Sequence, residues 1–209
     1  MSSTNTDTAT MEGRLFRNAM RGCINCGAER SGFSKYCDRC KGLMYRWGHT
    51  SGRALECSEY TKERDYTLNL IKQNYEQHEG LQQSVKMVDT WLERGAFPLL
   101  ANHSAEGVDG RSLFTELAAV YTFHAVNPVA RNFMGGWEAL YIQLAQRAIA
   151  MVPKSKRACW ATPPKKRDLG YAFFIYLKPI FMNIASSYGE SLRKQATLKT
   201  QMEEPFSCV

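Results

Sequence analysis

The sequence contains little of what marks fibrous or disordered chains. Its 209 residues include only 7 prolines and 15 glycines, and no repeat of solenoid length stands out. Hydrophobic residues make up 44% of the chain and charged residues 22%, as in globular proteins. This composition excludes a collagen-like or largely disordered chain. The length suits one domain of good size, or a small module attached to a larger one.

The features of an exported or membrane-spanning protein are also missing. The chain begins with a polar, Ser/Thr-rich segment that has neither the basic start nor the apolar core of a secretory signal. The longest apolar stretch, residues 170–185, contains Lys178 and Pro179 and is shorter than the ~20 residues that a membrane helix needs. We therefore expect a cytoplasmic protein without membrane contact, in which 170–185 is a buried core segment.

Recognisable catalytic motifs are absent as well. None of the 4 histidines stands in a His-x-Glu or His-Glu-x-x-His sequence, or beside a candidate nucleophile. No glycine-rich phosphate loop precedes a helical pattern. His78 and His124 lie on apolar helical stripes, where a packed core histidine is commoner than a catalytic one. The sequence therefore predicts a protein that is not an enzyme and has no small-molecule substrate.

Cysteine, in contrast, is plentiful, and four of the 7 cysteines stand close together. Cys23 and Cys26 form one C-x2-C pair, and Cys37 and Cys40 form a second pair after a ten-residue spacer. Two residues between cysteines let both thiolates face one ion, and two such pairs complete the closed tetrahedral set of structural Zn²⁺. The sequence therefore predicts one structural zinc ion, with an iron–sulfur cluster or four free thiols as the alternatives.

The same segment resembles the short zinc-ribbon family. Besides the two cysteine pairs, the shared residues are Gly27, Ala28 and Tyr36. Residues 41–49 depart from the ribbon, because they continue with the spacing of a short helix. A second pair that opens a helix is similar to a treble clef, and the sequence Arg46-Trp47-Gly48-His49 has a weaker likeness to small zinc proteins of phages and mobile elements. The resemblance covers residues 23–40 only.

The remainder of the sequence favours helices. Apolar residues recur at steps of three and four over residues 68–92, 113–124 and 137–152. Gly80 predicts a break or bend in the first of these segments, and a further helix with a kink near Pro179 is expected beyond residue 170. The expected fold class is mainly α, with a small N-terminal four-cysteine zinc module followed by an α-helical domain.

These patterns divide the chain into four parts. Residues 1–12 and 199–209 are polar and predicted to be flexible tails. Residues 13–57 are the predicted zinc-binding module, and residues 58–198 the predicted α-helical domain. Within that domain, residues 153–169 contain three prolines and six basic residues, which predicts an exposed basic loop in place of a helix.

Positive charge is concentrated in the module and in this loop. The formal net charge of +7 results mainly from nine basic and five acidic residues in 1–57, and seven basic and one acidic residue in 147–172. Cations beside exposed aromatic rings are typical of phosphate contact and base stacking. The candidate nucleic-acid-binding or partner-binding residues are Arg30, Lys35, Arg39, Lys41, Arg46, Trp47, Lys154, Lys156, Arg157, Lys165, Lys166 and Arg167.

Two functions fit the sequence. The first is a non-enzymatic nucleic-acid-binding or regulatory protein, whose zinc module and basic loop make sequence-tolerant phosphate contacts. The second is a protein-interaction adaptor or inhibitor of the kind that phages or mobile elements encode. Such a protein would dock on an acidic surface of a host transcription or defence complex. DNA, RNA and protein partners all stay open at this point.

Overall fold

The computed structural model describes residues 22–30 and 34–203. The predicted tail at 1–12 lies outside these residues, as does the segment 204–209, while residues 199–203 continue the last helix. The described residues are mainly helical and contain no strand, with the four-cysteine cluster ahead of the helices. The expected fold class is therefore confirmed.

Seven α-helices follow one another along the described chain. They are α1 (Asp38–Trp47), α2 (Thr61–Asn74), α3 (Glu79–Glu93), α4 (Gly110–Val126), α5 (Arg131–Met134), α6 (Trp137–Ala150) and α7 (Pro163–Glu203). Short 3-10 turns occur at Cys57–Tyr60, Pro98–Leu100, Ser104–Glu106, Pro128–Ala130 and Lys154–Lys156.

Helix α4 forms the centre of the core. All residues from Leu113 to Phe123 are buried, and α2, α3, α6 and α7 pack around them. A helix that carries apolar residues on every side has to be surrounded, because any exposed face would leave apolar area in water. Asp109 caps its start, since its carboxylate accepts a hydrogen bond from the Ser112 N–H at 2.7 Å. The other helices are therefore arranged around α4.

The break that Gly80 predicts in the helical pattern of residues 68–92 lies slightly ahead of that glycine. Residues 75–78 separate α2 from α3. His78 caps α3, because its Nδ1 accepts a hydrogen bond from a backbone N–H of the first turn at 3.2 Å. The side-chain amide of Gln82 donates to the backbone carbonyl of Tyr75 at 2.8 Å. The break is thus produced by side chains that form hydrogen bonds with the backbone groups at the two helix ends. Gly80 lies within the first turn of α3.

The structure differs from the expected basic loop at 153–169 in its second half. A 3-10 turn and irregular backbone occupy 153–162, but α7 begins at Pro163. Proline is compatible with the first helical positions, because the backbone N–H groups there have no partner within the helix. The Lys166 N–H donates to the Thr162 carbonyl at 3.0 Å and forms the first hydrogen bond of the helix. The two adjacent prolines therefore start a helix.

Helices α6 and α7 make the largest contact between two helices of the described chain. At Gly170 the helices approach so closely that a Cβ would lie 1.8 Å from the Tyr141 carbonyl oxygen. Farther along α7, Phe173, Leu177 and Phe181 are fully buried. The helix continues through Pro179. A residue without a side chain at position 170 thus allows the pairing of α6 with α7.

By length and composition, α7 is also able to cross a membrane over Pro163–Lys199. In the most apolar part of this helix, 44% is buried inside the protein. Core helices of soluble proteins pass the same test. The buried side of α7 packs against α4 and α6, so the core role expected for residues 170–185 applies to this side of the helix. The other side exposes Tyr171, Ile175, Tyr176 and Met182 and differs from that expectation.

A buried ion pair lies within the core. Glu116 of α4 accepts hydrogen bonds from Arg147 of α6 at 3.0 Å and from the Tyr60 hydroxyl. Arg147 Nε donates to the same hydroxyl at 2.7 Å. Burial and, after it, the Glu116 carboxylate raise the pKa of Tyr60, so the phenol stays protonated. This network links the turn at Cys57–Tyr60 to two core helices.

The variant Gly170→Ala should lower the free energy of unfolding by about 2 kcal/mol or more, because its methyl group would overlap the Tyr141 carbonyl. Gly189→Ala is the matched control on the same helix, since a Cβ there meets no atom within 4 Å. The control should gain up to ~1 kcal/mol from the helix propensity of alanine. Urea unfolding followed by circular dichroism measures both changes, and equal stability of the two variants would contradict the close helix pairing.

Candidate metal centre

The first cysteine pair lies on a tight turn. The Gly27 N–H donates to the Cys23 carbonyl at 2.8 Å, and the Cys23 N–H donates to the Ala28 carbonyl at 2.8 Å. Gly27 has a φ of +74°, in the left-handed region that glycine enters at little cost. The turn therefore directs Cys23 and Cys26 to the same side.

The second pair lies at the start of α1. Cys37 is the residue before the first helical position, and Cys40 belongs to the first turn. The Lys41 N–H donates to the Cys37 carbonyl at 2.9 Å, which begins the helical hydrogen bonding. The positive end of the helix dipole therefore lies next to these two cysteines.

The four sulfur atoms lie within 4.8 Å of one another. Cys26 Sγ is 3.6 Å from Cys37 Sγ and 3.7 Å from Cys40 Sγ. Four sulfurs ~2.3 Å from a tetrahedral ion would be ~3.8 Å apart, so this spacing fits a metal ion. It is much longer than the ~2.05 Å of a disulfide bond. The predicted set of four cysteines is therefore confirmed as a cluster that can hold a metal.

The thiols of this cluster differ in acidity. Burial raises the pKa of Cys23, but hydrogen bonds from the backbone at Cys37, Asn25 and Cys26 outweigh it and lower the pKa to about 6. The Asn25 amide lowers the pKa of Cys40, yet burial and the neighbouring thiols raise it to about 12. Within one cluster, the pKa of one thiol is thus lowered and that of another is raised. The thiol protons leave when a metal binds.

Two residues that the sequence analysis missed support the cluster from outside. The Asn25 side-chain amide donates to Cys40 Sγ at 3.4 Å. The Thr50 hydroxyl donates to Asn25 Oδ1 at 2.8 Å and fixes the orientation of that amide. Such outer contacts orient ligands and tune metal affinity. Asn25 stands inside the first C-x2-C pair, whereas no local pattern points to Thr50.

The other two potential ligands near these pairs in the sequence lie outside the cluster. His49 Nδ1 accepts a hydrogen bond from the Ser51 N–H at 3.1 Å. Cys57 Sγ lies 3.9 Å from the Tyr60 hydroxyl and contacts the Arg147 guanidinium. Within residues 22–30 and 34–203, the four cysteines are the whole donor set of this site.

Two contacts position the four-cysteine segment on the helical body. Gly48 ends α1 with a φ of +69°, and a Cβ there would lie 2.7 Å from the backbone nitrogen of Ala139 at the start of α6. The buried amide of Gln143 accepts a hydrogen bond from the Leu55 N–H at 3.0 Å and donates to the Arg53 carbonyl at 2.5 Å. Both the oxygen and the nitrogen of this amide therefore have hydrogen-bond partners, and the chain after α1 is held against α6.

Six of the predicted contact residues belong to the four-cysteine segment. Three of them are exposed, namely Lys35, Arg39 and Arg46. The other three also make local contacts: Arg30 donates to the Ser34 carbonyl at 2.9 Å, Lys41 pairs with Asp38 at 3.0 Å, and Trp47 packs against Gly52. Part of this set therefore stabilises the segment itself.

The remaining six predicted contact residues belong to 153–169. Arg157 is engaged internally, since its guanidinium donates to the carbonyls of Ala150 and Val152 at 2.9 Å each. Lys154 is exposed. The other four make single contacts: Lys156 with Glu106 at 3.8 Å, Lys165 with the Trp160 ring at 4.3 Å, Lys166 with Gln146 at 2.7 Å, and Arg167 with Glu138 at 3.7 Å.

Parts of the two basic groups lie next to each other. Helix α1 packs against α6 and α7, and Gly48 at its end lies against the backbone of Glu138, whose side chain pairs with Arg167 at 3.7 Å. Burial lowers the pKa of Lys166, and the positive charge of Arg46 lowers it further. We define the basic surface as Arg46 together with Lys165, Lys166 and Arg167.

No family model, no curated protein and no solved structure matches this chain.

The double variant Cys23→Ser, Cys26→Ser should lose the bound metal, because two ligands cannot close a tetrahedral site. The single variants Cys57→Ser and Cys159→Ser are controls, since both thiols are exposed and lie outside the cluster. Metal analysis of anaerobically purified protein should give one ion per chain for the unchanged protein and for both controls. A metal content near zero in the unchanged protein would contradict the site.

Proposed function

We propose that this protein is a non-enzymatic nucleic-acid-binding protein whose structural zinc positions a basic surface for phosphate contact. One observation carries the proposal: the end of the helix that begins at the cysteines and carries Arg46 lies against the backbone of Glu138, and the Glu138 side chain pairs with Arg167 at the start of α7. Positively charged side chains that come together from distant parts of the chain repel one another and lower the stability of the fold. Their accumulation is useful where an anion such as the phosphate backbone binds.

Zinc is the metal that this donor set fits best. Four thiolates in tetrahedral spacing favour Zn²⁺ or an iron–sulfur cluster, and a closed set of four cysteine ligands leaves no position for a catalytic water. Cys23, Cys26, Cys37 and Cys40 would hold the ion, which makes its role structural. The second pair at the start of a helix supports the likeness to a treble clef.

The zinc ion would act on the basic surface through α1. Cys37 and Cys40 fix the first turn of α1 to the turn that carries Cys23 and Cys26, while Gly48 holds the other end against α6. Arg46 therefore has a defined position only while both ends are held. We place this function in the cytoplasm, because reducing compartments keep such thiols available for metal.

A protein partner is the second candidate, and one observation favours it. Helix α7 exposes large apolar side chains, among them Tyr171, Ile175 and Met182, which recur at helical spacing. An exposed apolar stripe of this kind is typical of protein contact. Recovery of one stoichiometric protein, insensitive to nuclease, would favour an adaptor or inhibitor.

Zinc-loaded protein should bind single-stranded or double-stranded nucleic acid with an affinity that falls steeply as salt rises, since each neutralised phosphate releases counterions. The variants Arg46→Ala and Lys166→Ala should each weaken binding and reduce the slope of log K against log salt by about 1. Fluorescence anisotropy at two or more salt concentrations measures both quantities.

Lys72→Ala is the control for this experiment, because Lys72 is an exposed lysine on α2 and lies outside the basic surface. It should leave affinity and salt slope unchanged. Failure of zinc-replete protein to bind DNA or RNA at low salt would reject the nucleic-acid function and leave the protein partner as the explanation. Equal effects of Lys72→Ala and Arg46→Ala would reject the basic surface as the contact region.

A further inference from the structure

A cavity of about 230 Å³ opens beside the basic surface. The turn at Pro98–Leu100 forms one side, and the first turns of α7 form the other. Its walls are mainly apolar, and its lining residues are Phe97, Pro98, Leu99, Trp160, Lys165, Asp168 and Leu169. Pockets for drug-sized ligands measure ~300–1,000 Å³, so this cavity suits one flat ring system.

Two aromatic rings lie in its walls and differ in how they are packed. Phe97 is fixed by edge-on contacts, with ring centroids 5.4 Å from Trp91 and 5.7 Å from Phe173. Trp160 is 44% exposed and precedes α7 in irregular backbone. The Lys165 ammonium lies 4.3 Å from the Trp160 ring centroid and holds the indole by a cation–π contact. A flat ring that enters the cavity therefore meets one aromatic side chain that packs against other rings and one that is partly exposed.

Two charged residues, Lys165 and Asp168, line the cavity and can form hydrogen bonds with a ligand. Lys165 and Asp168 are three residues apart on α7, so their side chains lie on the same face of the helix. Lysine offers only hydrogen-bond donors, and an ionised aspartate only acceptors. No hydrogen bond or ion pair occupies the Asp168 carboxylate within the described part of the chain. A ligand that carries a hydrogen-bond acceptor next to hydrogen-bond donors would pair with both residues, the acceptor with Lys165 and the donors with Asp168.

We propose that this cavity binds one unstacked nucleobase of a single strand, and that guanine fits it best; the inference rests on the nucleic-acid function proposed above. Guanine presents O6 as an acceptor beside two N–H donors on its pairing edge. Lys165 would donate to O6, Asp168 would accept the two N–H groups, and the ring would lie against Phe97 and Trp160. Lys166 and Arg167, one and two residues beyond Lys165, supply positive charge for the flanking phosphates.

The test compares two fluorescent single strands of about 10 nucleotides, a length within the site sizes of single-strand binders. One is oligo(dT), and the other carries a single dG at its centre; the RNA counterparts are measured in parallel. Full-length zinc-loaded protein should bind the strand with guanine about tenfold more tightly. Trp160→Ala should weaken the binding of both strands about tenfold through loss of stacking.

Asp168→Asn separates base recognition from stacking. It should abolish the preference for guanine while leaving affinity for oligo(dT) or oligo(U) unchanged, because those strands do not use the carboxylate. The matched controls are Trp137→Ala, an exposed indole outside the cavity, and Asp65→Asn, an exposed carboxylate on α2. Neither control should change affinity or preference. Circular dichroism and metal content of each variant verify that it is folded.

The outcomes distinguish this inference from the function on which it rests. Salt-dependent binding that is equal for the two strands and unaffected by Trp160→Ala would overturn the base pocket and leave the phosphate-binding function standing. A preference for guanine that survives Asp168→Asn would overturn the assigned recognition. Absence of binding to every strand by zinc-replete protein would overturn both.

Discussion

The contact between the end of α1 and the start of α6 determines where the proposed binding residues lie. Gly48 has no side chain, and the backbone of Ala139 occupies the space that a Cβ would need. The buried amide of Gln143 holds the chain that follows. Since the cysteine cluster holds the other end of α1, the position of Arg46 relative to α7 depends on this cluster and on helix docking together.

Two of the buried polar side chains of the core, Glu116 and Gln143, lie where the N-terminal segment joins the helices. Gln143 bonds to the backbone at residues 53–55, and Glu116 bonds to Tyr60 and Arg147. Burying charge costs solvation energy that hydrogen bonds recover only in one arrangement. Apolar packing tolerates small displacements, whereas these bonds do not. The junction therefore owes its geometry to polar contacts, and the core owes its stability to apolar burial.

The sequence alone predicted those features of the fold and the site that depend on residues close together in the chain. Metal-ligand spacing identifies Cys23 to Cys40, and helical periodicity identifies the apolar faces around α4, because both depend on residues a few positions apart. The start of α7 at Pro163 went against the expectation of a loop, since two prolines also suit a first helical turn. The contact of Thr50 with Asn25 and the cavity between Phe97 and Trp160 need tertiary packing to be seen. No periodic pattern contains them.

Helix α7 is much longer than the other helices of the described residues. Its 41 residues extend about 60 Å at ~1.5 Å per residue, against about 25 Å for the 17 residues of α4. Its first turns carry the basic surface, and its side chains are exposed from residue 192 to residue 199. The helix packs into the core as far as Tyr188, so only its last turns project from the helical body. A partner that contacts these last turns would therefore be held at a set distance from the basic surface.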